Sequence, residues 1–396
     1  MVSKPTTSEN AASPPGSAEP AGLYIHIPFC VRKCPYCDFY SITDTTLRSE
    51  LTGALLKETR LAAAPDRPVV DTIHFGGGTP SLMTADQIAA LLAAANESFT
   101  VSPDAEITVE ANPDSITGQW LEAIRQAGVN RLNIGVQSLD DTELAFLGRV
   151  HDAEQARTAA VAARRHGFTN IGLDIIYGLP GQTKAGLSRT LSRALELEPA
   201  HLSCYLLTCE PGTPLEKSLN RGGWTPLPED VAAELFLFII SFLRNNDFLQ
   251  YEISNFSRHR QTRSRHNQKY WRRRPYFGLG PAAHSYDGRQ RSWNVNHLER
   301  YLEELAADRR PRAAFEILTR RQKMTEAVYL GLRLTEGINL NAFEDEFGID
   351  LKQLPATVPD YFHNQGLLEI SADHCRLTTR GMLFHESAAA ALIELL

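Results

Sequence analysis

The sequence predicts an α/β protein: an open, partial (βα)6 barrel followed by a small C-terminal winged-helix-like domain. Two observations carry this. Between residues 22 and 207, six short apolar runs alternate with helix-period segments rich in Ala and Leu, which implies a parallel sheet with helical crossovers. Past residue 208 that rhythm stops. From about Arg320 the order becomes helix, two further helical stretches, an apolar strand, a turn and a final helix. A doubly wound sheet is the alternative for the first part; in either arrangement ligands bind at the carboxyl ends of the strands.

The expected strands are residues 23–27, 69–75, 106–111, 131–136, 170–176 and 201–207, and helical patterns fill 47–63, 85–95, 118–127, 153–166 and 184–197. The residues just past each strand are informative. The first strand runs into Pro28 and three cysteines, and the second into Gly76-Gly77-Gly78-Thr79-Pro80. The third ends at Glu110 before Asn112-Pro113, and the fourth at Gln137-Ser138. The fifth carries Asp174 and ends in Tyr177-Gly178-Leu179-Pro180. Polar and glycine-rich residues therefore gather on one rim.

The chain has 396 residues, 43% hydrophobic and 22% charged, which suits two or three globular domains. A net charge of -7 gives no global attraction to nucleic acid or anionic lipid. Residues 1–21, rich in Ser, Pro and Ala and free of Arg, read as a disordered tail without an apolar signal core, and the expected location is the cytoplasm. The expected division is a barrel over 22–250, an aromatic and basic connecting region over 251–320, and an accessory domain over 321–396. Residues 322–396 hold five Lys/Arg against eleven Asp/Glu, so phosphates would repel the accessory domain and nucleic acid is not an expected partner.

Cys30, Cys34 and Cys37 stand in a C-x3-C-x2-C run. Thiolates ligate iron–sulfur clusters, and a cubane usually takes four. Three on one loop leave the fourth iron open to the amino and carboxylate groups of an amino acid, and S-adenosylmethionine (SAM) offers both. The competing reading is zinc, whose motifs usually pair two C-x2-C elements; the chain has no second pair. Cys204, Cys209 and Cys375 lack metal spacing and read as buried thiols.

The segment from Tyr24 through Cys30-Val-Arg-Lys-Cys34-Pro-Tyr-Cys37-Asp-Phe39 resembles the radical SAM proteins around oxygen-independent coproporphyrinogen III oxidase, and within them the HemW-like heme chaperones. Gly76-Gly-Gly-Thr-Pro-Ser81, Glu110-Ala-Asn-Pro113, Asn133-Ile-Gly-Val-Gln-Ser138, Arg149, Asp174-Ile-Ile-Tyr-Gly-Leu-Pro180, Tyr251-Glu-Ile-Ser-Asn-Phe256, His266-Asn-Gln-Lys-Tyr-Trp271 and Gly278-Leu-Gly-Pro-Ala-Ala-His284 stand in family order. The resemblance implies a [4Fe–4S] cluster on Cys30, Cys34 and Cys37, with SAM on the open iron. It assigns Gly77, Gly78 and Thr79 to the methionyl amino group and Glu110 to the ribose hydroxyls. Tyr24 and Tyr36 flank the cluster, where they could pack on adenine or the methionine chain; a plain core role is the other reading of Tyr24. Gln137, Arg149 and Asp174 match positions that hold a second SAM in the oxidase branch. Alternatively they shape a single site or meet a tetrapyrrole carboxylate.

Carrier and enzyme diverge two residues past Cys37. The oxidase branch has a fourth cysteine there and an ordered N-terminal segment; this chain has Phe39 and the tail. The stretch 257–276 mixes eight Arg/Lys with His259, His266, Tyr270 and Trp271. Its cations could pair with heme propionates, and the resemblance implies heme at His266. His284, Tyr251, Trp293 and Asn294 are weaker candidates that could simply order the region. The expected function is heme binding and transfer to acceptor proteins, membrane-associated respiratory proteins among them, with a homodimer left open. The alternative is a radical SAM oxidase or decarboxylase of coproporphyrinogen III or a related tetrapyrrole.

Overall fold

A computed structural model describes residues 19–63, 67–353 and 357–396. The tail expected over residues 1–21 lies mostly outside them, and Ala21 already belongs to the first strand.

Six parallel strands form the centre: β1 (Ala21–Ile27), β2 (Val69–Gly77), β3 (Thr100–Ala111), β4 (Arg131–Gln137), β5 (Asn170–Tyr177) and β6 (His201–Leu206). The crossovers are α1 (Arg48–Ala62), α2 (Ala85–Ser98), α3 (Gly118–Gln126), α4 (Asp141–Phe146) with α5 (Ala153–Arg165), and α6 (Lys184–Glu196). Local signals set these helices. Thr84 with Gln87 and Asp152 with Gln155 close capping boxes on α2 and α5, each satisfying otherwise orphaned amide donors. β3 starts earlier than its apolar pattern because Pro103 and Asp104 sit in an irregularity of the β2–β3 pairing, where proline is tolerated.

The strands alternate in side-chain character. Leu23, Ile25, Ile27, Ile73, Phe75, Val109, Leu132, Ile134, Leu173, Ile175 and Leu202 are buried in the apolar core. The opposite parity carries Tyr24, His26, Thr72, His74, Glu106, Thr108, Glu110, Arg131, Asn133, Asp174, His201, Ser203 and Tyr205. A parallel sheet covered on both faces reads as a continuous apolar run; here one face is polar, and it walls a cavity.

Residues 251–320, expected as a connecting region, extend the sheet at both ends. After α7 (Pro214–Asn220) and α8 (Glu229–Arg244), β7 (Leu249–Gln250) and β8 (Asn255–Ser257) add antiparallel strands beyond β6. Past α9 (Arg265–Trp271), β9 (Tyr276–Leu279) pairs parallel to β1. β10 (His284–Tyr286), β11 (Gln290–Asn294) and, past α10 (Leu298–Ala306), β12 (Arg312–Ile317) continue outward. The sheet of twelve strands stays open, ending at β12 and β7.

The C-terminal part runs α11 (Arg320–Arg333), β13 (Ile338–Asn339), α12 (Leu340–Phe347), α13 (Thr357–Asn364), β14 (Leu368–Ile370), β15 (His374–Leu377) and α14 (His385–Ile393). Its three strands form a separate antiparallel sheet in the order β13-β15-β14, the helix-and-wing arrangement expected from the sequence. It docks through charge. Arg272 meets Glu336 at 2.6 Å, Arg273 grips both oxygens of Glu346, and Arg333 meets the fully buried Glu252 at 2.6 Å. The acidic domain thus sits against the basic stretch of the same chain. Among the described residues no helix is long and apolar enough to cross a membrane.

Candidate cofactor site

The cysteines lie on the loop between β1 and α1. That loop is pinned by Ile42 N–H to Pro28 O at 2.8 Å, Cys30 N–H to Ile42 O at 2.9 Å and Cys37 N–H to Cys34 O at 3.2 Å. His26 Nε2 holds Tyr40 O at 2.9 Å, and the Arg32 guanidinium donates to the carbonyls of Gly148 and Arg149. All three thiols are free and half-buried, and all face one cavity of about 740 Å³, a size typical of a ligand site. Among the described residues no three His, Cys, Asp or Glu side chains converge as on a single ion. A cubane has a ligand at each corner, so its thiolates need not converge. Burial pushes the Cys37 thiol up, and the nearby Cys34 and Cys30 add to this. Iron binding would deprotonate such thiols and relieve their mutual repulsion.

The glycine loop meets the cysteine loop directly. Gly78 N–H donates to Ile27 O at 2.8 Å. A Cβ on Gly78 would stand 2.7 Å from Phe29 O and 3.0 Å from Cys30 Sγ, so only glycine fits. Gly77 has φ +113°, in the region that favours glycine. Thr79 Oγ1 donates to Cys30 Sγ at 3.5 Å and accepts from Asn112 Nδ2 at 3.1 Å. Asn112 Oδ1 accepts from Arg149 at 2.7 Å, and the same guanidinium donates to Cys34 Sγ at 3.3 Å and to Tyr36 OH at 3.5 Å. Asn112 thereby links the groups that touch Cys30 and Cys34. Burial pushes the Tyr36 phenol up, leaving it a neutral donor beside the thiols.

Glu110 reaches the cavity from the end of β3, and its Oε1 accepts from His74 Nε2 at 2.9 Å. Gln137 lines the cavity at the end of β4 with φ +65°, where the β4–β5 pairing is irregular. A non-glycine residue held there costs about 1–3 kcal/mol. Asp174 Oδ2 accepts from Asn133 at 2.6 Å, and Oδ1 is buried without a partner among the described residues. Burial pushes Asp174 up to about 6, the charge of Glu110 adds to the shift, and the hydrogen bond from Asn133 opposes it. The cavity therefore offers a partly orphaned acid on one wall and the Arg149 cation on another.

Eleven of the thirteen residues singled out from the sequence line this cavity: Cys30, Cys34, Tyr36, Cys37, Gly77, Gly78, Thr79, Glu110, Gln137, Arg149 and Asp174. Tyr24 and His266 do not. Tyr24 OH bonds His26 Nδ1 at 3.0 Å, and its ring stacks 6.0 Å from His74. His266 is 1% exposed, with Nδ1 on Thr72 Oγ1 and Nε2 on Tyr270 OH, both at 2.8 Å. Burial, with His74 and Lys269 nearby, holds its imidazole well below the ordinary value and keeps it neutral. Much of the basic stretch is spent inside the chain. Arg265 pairs with Asp71 and Asp104, Lys269 with Asp71, and Arg274 with Glu19.

Sequence reasoning did not single out His74, Asn112, Asn133, Arg131, His201 or Ser203 as site residues, yet all line the cavity. The signal was present as polar residues two apart within apolar strands: Thr72 with His74, Arg131 with Asn133, His201 with Ser203.

The Radical SAM superfamily model matches residues 24–194, and the HemN C-terminal domain model matches residues 318–384. The heme chaperone HemW of Mycobacterium tuberculosis strain H37Rv is 37% identical over 99% of this chain and 100% of its own length. That of Bacillus subtilis is 35% identical over 93% and 98%. The Bos taurus protein named radical S-adenosyl methionine domain-containing protein 1, mitochondrial, is 33% identical over 96% and 89%. Among solved structures, the coproporphyrinogen III oxidase HemN of Escherichia coli superposes with a TM-score of 0.83 at 24% identity, covering 96% of this chain and 91% of its own. That likeness shows the fold. With the fold, the thiol-lined cavity and the full-length relatives together, this chain belongs to the HemW-like branch of the radical SAM superfamily.

Proposed function

We propose that this protein is a heme chaperone, carrying a [4Fe–4S] cluster on Cys30, Cys34 and Cys37 and SAM in the adjoining cavity, and that it passes heme to acceptor proteins in the cytoplasm. Acceptors would include membrane-associated respiratory proteins. When bound, the cluster and SAM together supply one-electron chemistry at a C–S bond. The chain's own part is positional. Thr79 and Arg149 donate to the sulfurs of Cys30 and Cys34, and Asn112 holds both donors. Glu110 presents a carboxylate suited to vicinal hydroxyls. The division into a barrel over 22–250, a connecting region over 251–320 and an accessory domain over 321–396 belongs to the same reading. The middle region then braces the domain against the barrel.

The observation that carries the carrier reading over the oxidase is Phe39. It stands where the oxidase branch has a fourth cysteine, lines the cavity and is 69% exposed. The name of the relatives in Mycobacterium tuberculosis and Bacillus subtilis supports the same choice. The test is anaerobic. Protein with a reconstituted cluster receives coproporphyrinogen III, SAM and reductant in one arm, and heme in another. Stoichiometric heme uptake without protoporphyrinogen is expected, weaker in His266→Ala than in His259→Ala. Protoporphyrinogen formation would overturn the carrier reading in favour of the oxidase.

A further inference from the structure

The cavity runs the height of the sheet. The thiols and the glycine loop stand at the carboxyl ends of the strands, but Arg131 and His201, the first residues of β4 and β6, line the cavity at the amino ends. Register gathers four strands there on one face: Thr108 lies beside Arg131, Asn133 beside Gly172, and Gly172 beside His201. Arg131 is 2% exposed, yet the hydrogen bonds of its guanidinium go to uncharged oxygens, from Nη1 to Asn170 Oδ1 at 2.8 Å and to Thr262 O at 3.0 Å. Buried charges are ordinarily paired; among the described residues no carboxylate bonds this one. Gly172 has no side chain to cover the middle of the group. A Cβ there would press on Asn133 Oδ1 and stand 3.4 Å from His201 Nδ1 and 3.5 Å from Arg131 Nη2. His201 Nδ1 and Thr108 Oγ1 are both buried without a partner among the described residues. The imidazole is neutral, because burial and the nearby Arg131 hold it well below its ordinary value. Tyr251 OH accepts from Ser264 N–H at 3.3 Å, so its own proton goes to His201 Nε2 at 2.8 Å. A neutral ring that accepts at Nε2 carries its proton on Nδ1.

We propose that this amino-terminal end of the cavity is a carboxylate site, in which the Arg131 guanidinium, His201 Nδ1–H and the Thr108 hydroxyl hold a ligand's carboxylate. A planar cation flanked by two neutral donors suits a planar anion with two oxygens. Three acids share this face of the sheet, and two are spent. Glu106 accepts from the main-chain N–H groups of Arg265 and His266, and Glu110 accepts from His74. The third, Asp174, stands two residues past Gly172 on β5, about 7 Å along the strand. Asn133 lies between: its Nδ2 donates to Asp174 Oδ2 at 2.6 Å, which turns its Oδ1 toward Gly172. Asp174 therefore weakens an incoming anion without occupying the cation. The carboxylate has two sources, a propionate side arm of a tetrapyrrole or a free small carboxylate. The first source rests on the heme-carrier reading above; the site itself does not.

The first arm of the experiment titrates sodium propionate into cluster-loaded, full-length protein under anaerobic conditions, with sodium chloride at equal ionic strength as the control. Binding is read by calorimetry and by the thermal midpoint. Propionate should bind and raise the midpoint where chloride does not. Thr108→Val removes a hydroxyl that bonds nothing among the described residues, and should weaken propionate about tenfold. Arg131→Met should abolish binding, and Asp174→Asn should tighten it. Gly172→Ala intrudes among the donors and leaves every charge in place; it should also abolish binding, and it serves if Arg131→Met does not fold. The second arm compares heme with heme dimethyl ester by the Soret band. Heme bound about tenfold or more tighter than its ester in the wild type, but not in Gly172→Ala, supports the site with a tetrapyrrole side arm as its occupant. Equal binding of the two, with the propionate result intact, supports it with a free carboxylate. A propionate effect no greater than that of chloride, or one that survives in Gly172→Ala, overturns the proposal. Failure of the wild type to take up heme at all would defeat the carrier reading, while the propionate arm still decides the site.

Discussion

Arg149 donates one guanidinium N–H to Cys34 Sγ at 3.3 Å and another to Asn112 Oδ1 at 2.7 Å. A fixed cationic fork is thereby aimed at a thiol expected to carry iron. Hydrogen bonds to cluster sulfurs tune reduction potential. In Arg149→Met the three cysteines remain, so the cluster should still assemble. Its potential should become more negative by about 60 mV, one decade for a one-electron couple. Redox titration with EPR detection measures this; an unchanged potential would remove Arg149 from the electronics of the site.

Glu252 is completely buried and faces Arg333 at 2.6 Å, across the junction with the C-terminal domain. Burial pushes its carboxyl up against the pull of Arg333. Arg333→Ala leaves that acid unpaired and also strips the cation from the Trp271 ring, 4.4 Å away. The expected cost is about 3–5 kcal/mol, read as an earlier urea midpoint. Arg272→Ala, at a more exposed pair, should cost at most about 1 kcal/mol.

Much of this was legible in the sequence. The strand–helix alternation, the cysteine spacing and the glycine run each depend on local pattern, and the structure places them on one rim. The extension of the sheet at its two ends by β7 to β12 was not legible. Those strands run from two to six residues, too short for a period-2 signal, and the pairing of β9 with β1 joins residues about 250 positions apart. His74 was hidden because a histidine in the run 69–75 reads as part of a buried strand until the facing strands are known. The basic stretch misled in a physical way: charge density shows that partners exist, and here many of them, such as Asp71, Glu336 and Glu346, lie in the same chain.

Asp174, raised to about 6, gives a pH signature in protein free of cluster and SAM. A carboxyl whose folded value exceeds its unfolded one near 4 binds its proton more tightly when folded. Its contribution therefore favours the fold below about pH 4 and is lost as the pH rises through about 6. Asp174→Asn should be more stable than the wild type at pH 7.5 by about 1–2 kcal/mol, allowing for its exposure to the cavity. The gap should close below about pH 4. Urea unfolding across that range checks both the sign and the window.

Mössbauer spectroscopy of anaerobically reconstituted, 57Fe-enriched protein tests most directly whether three thiolates leave one iron for an exogenous chelate. The expected result is a [4Fe–4S] spectrum in which SAM shifts the signal of one iron of the four, retained in Cys204→Ala and Cys375→Ala and lost in Cys34→Ala. A spectrum insensitive to SAM, or an intact cubane in Cys34→Ala, would contradict it.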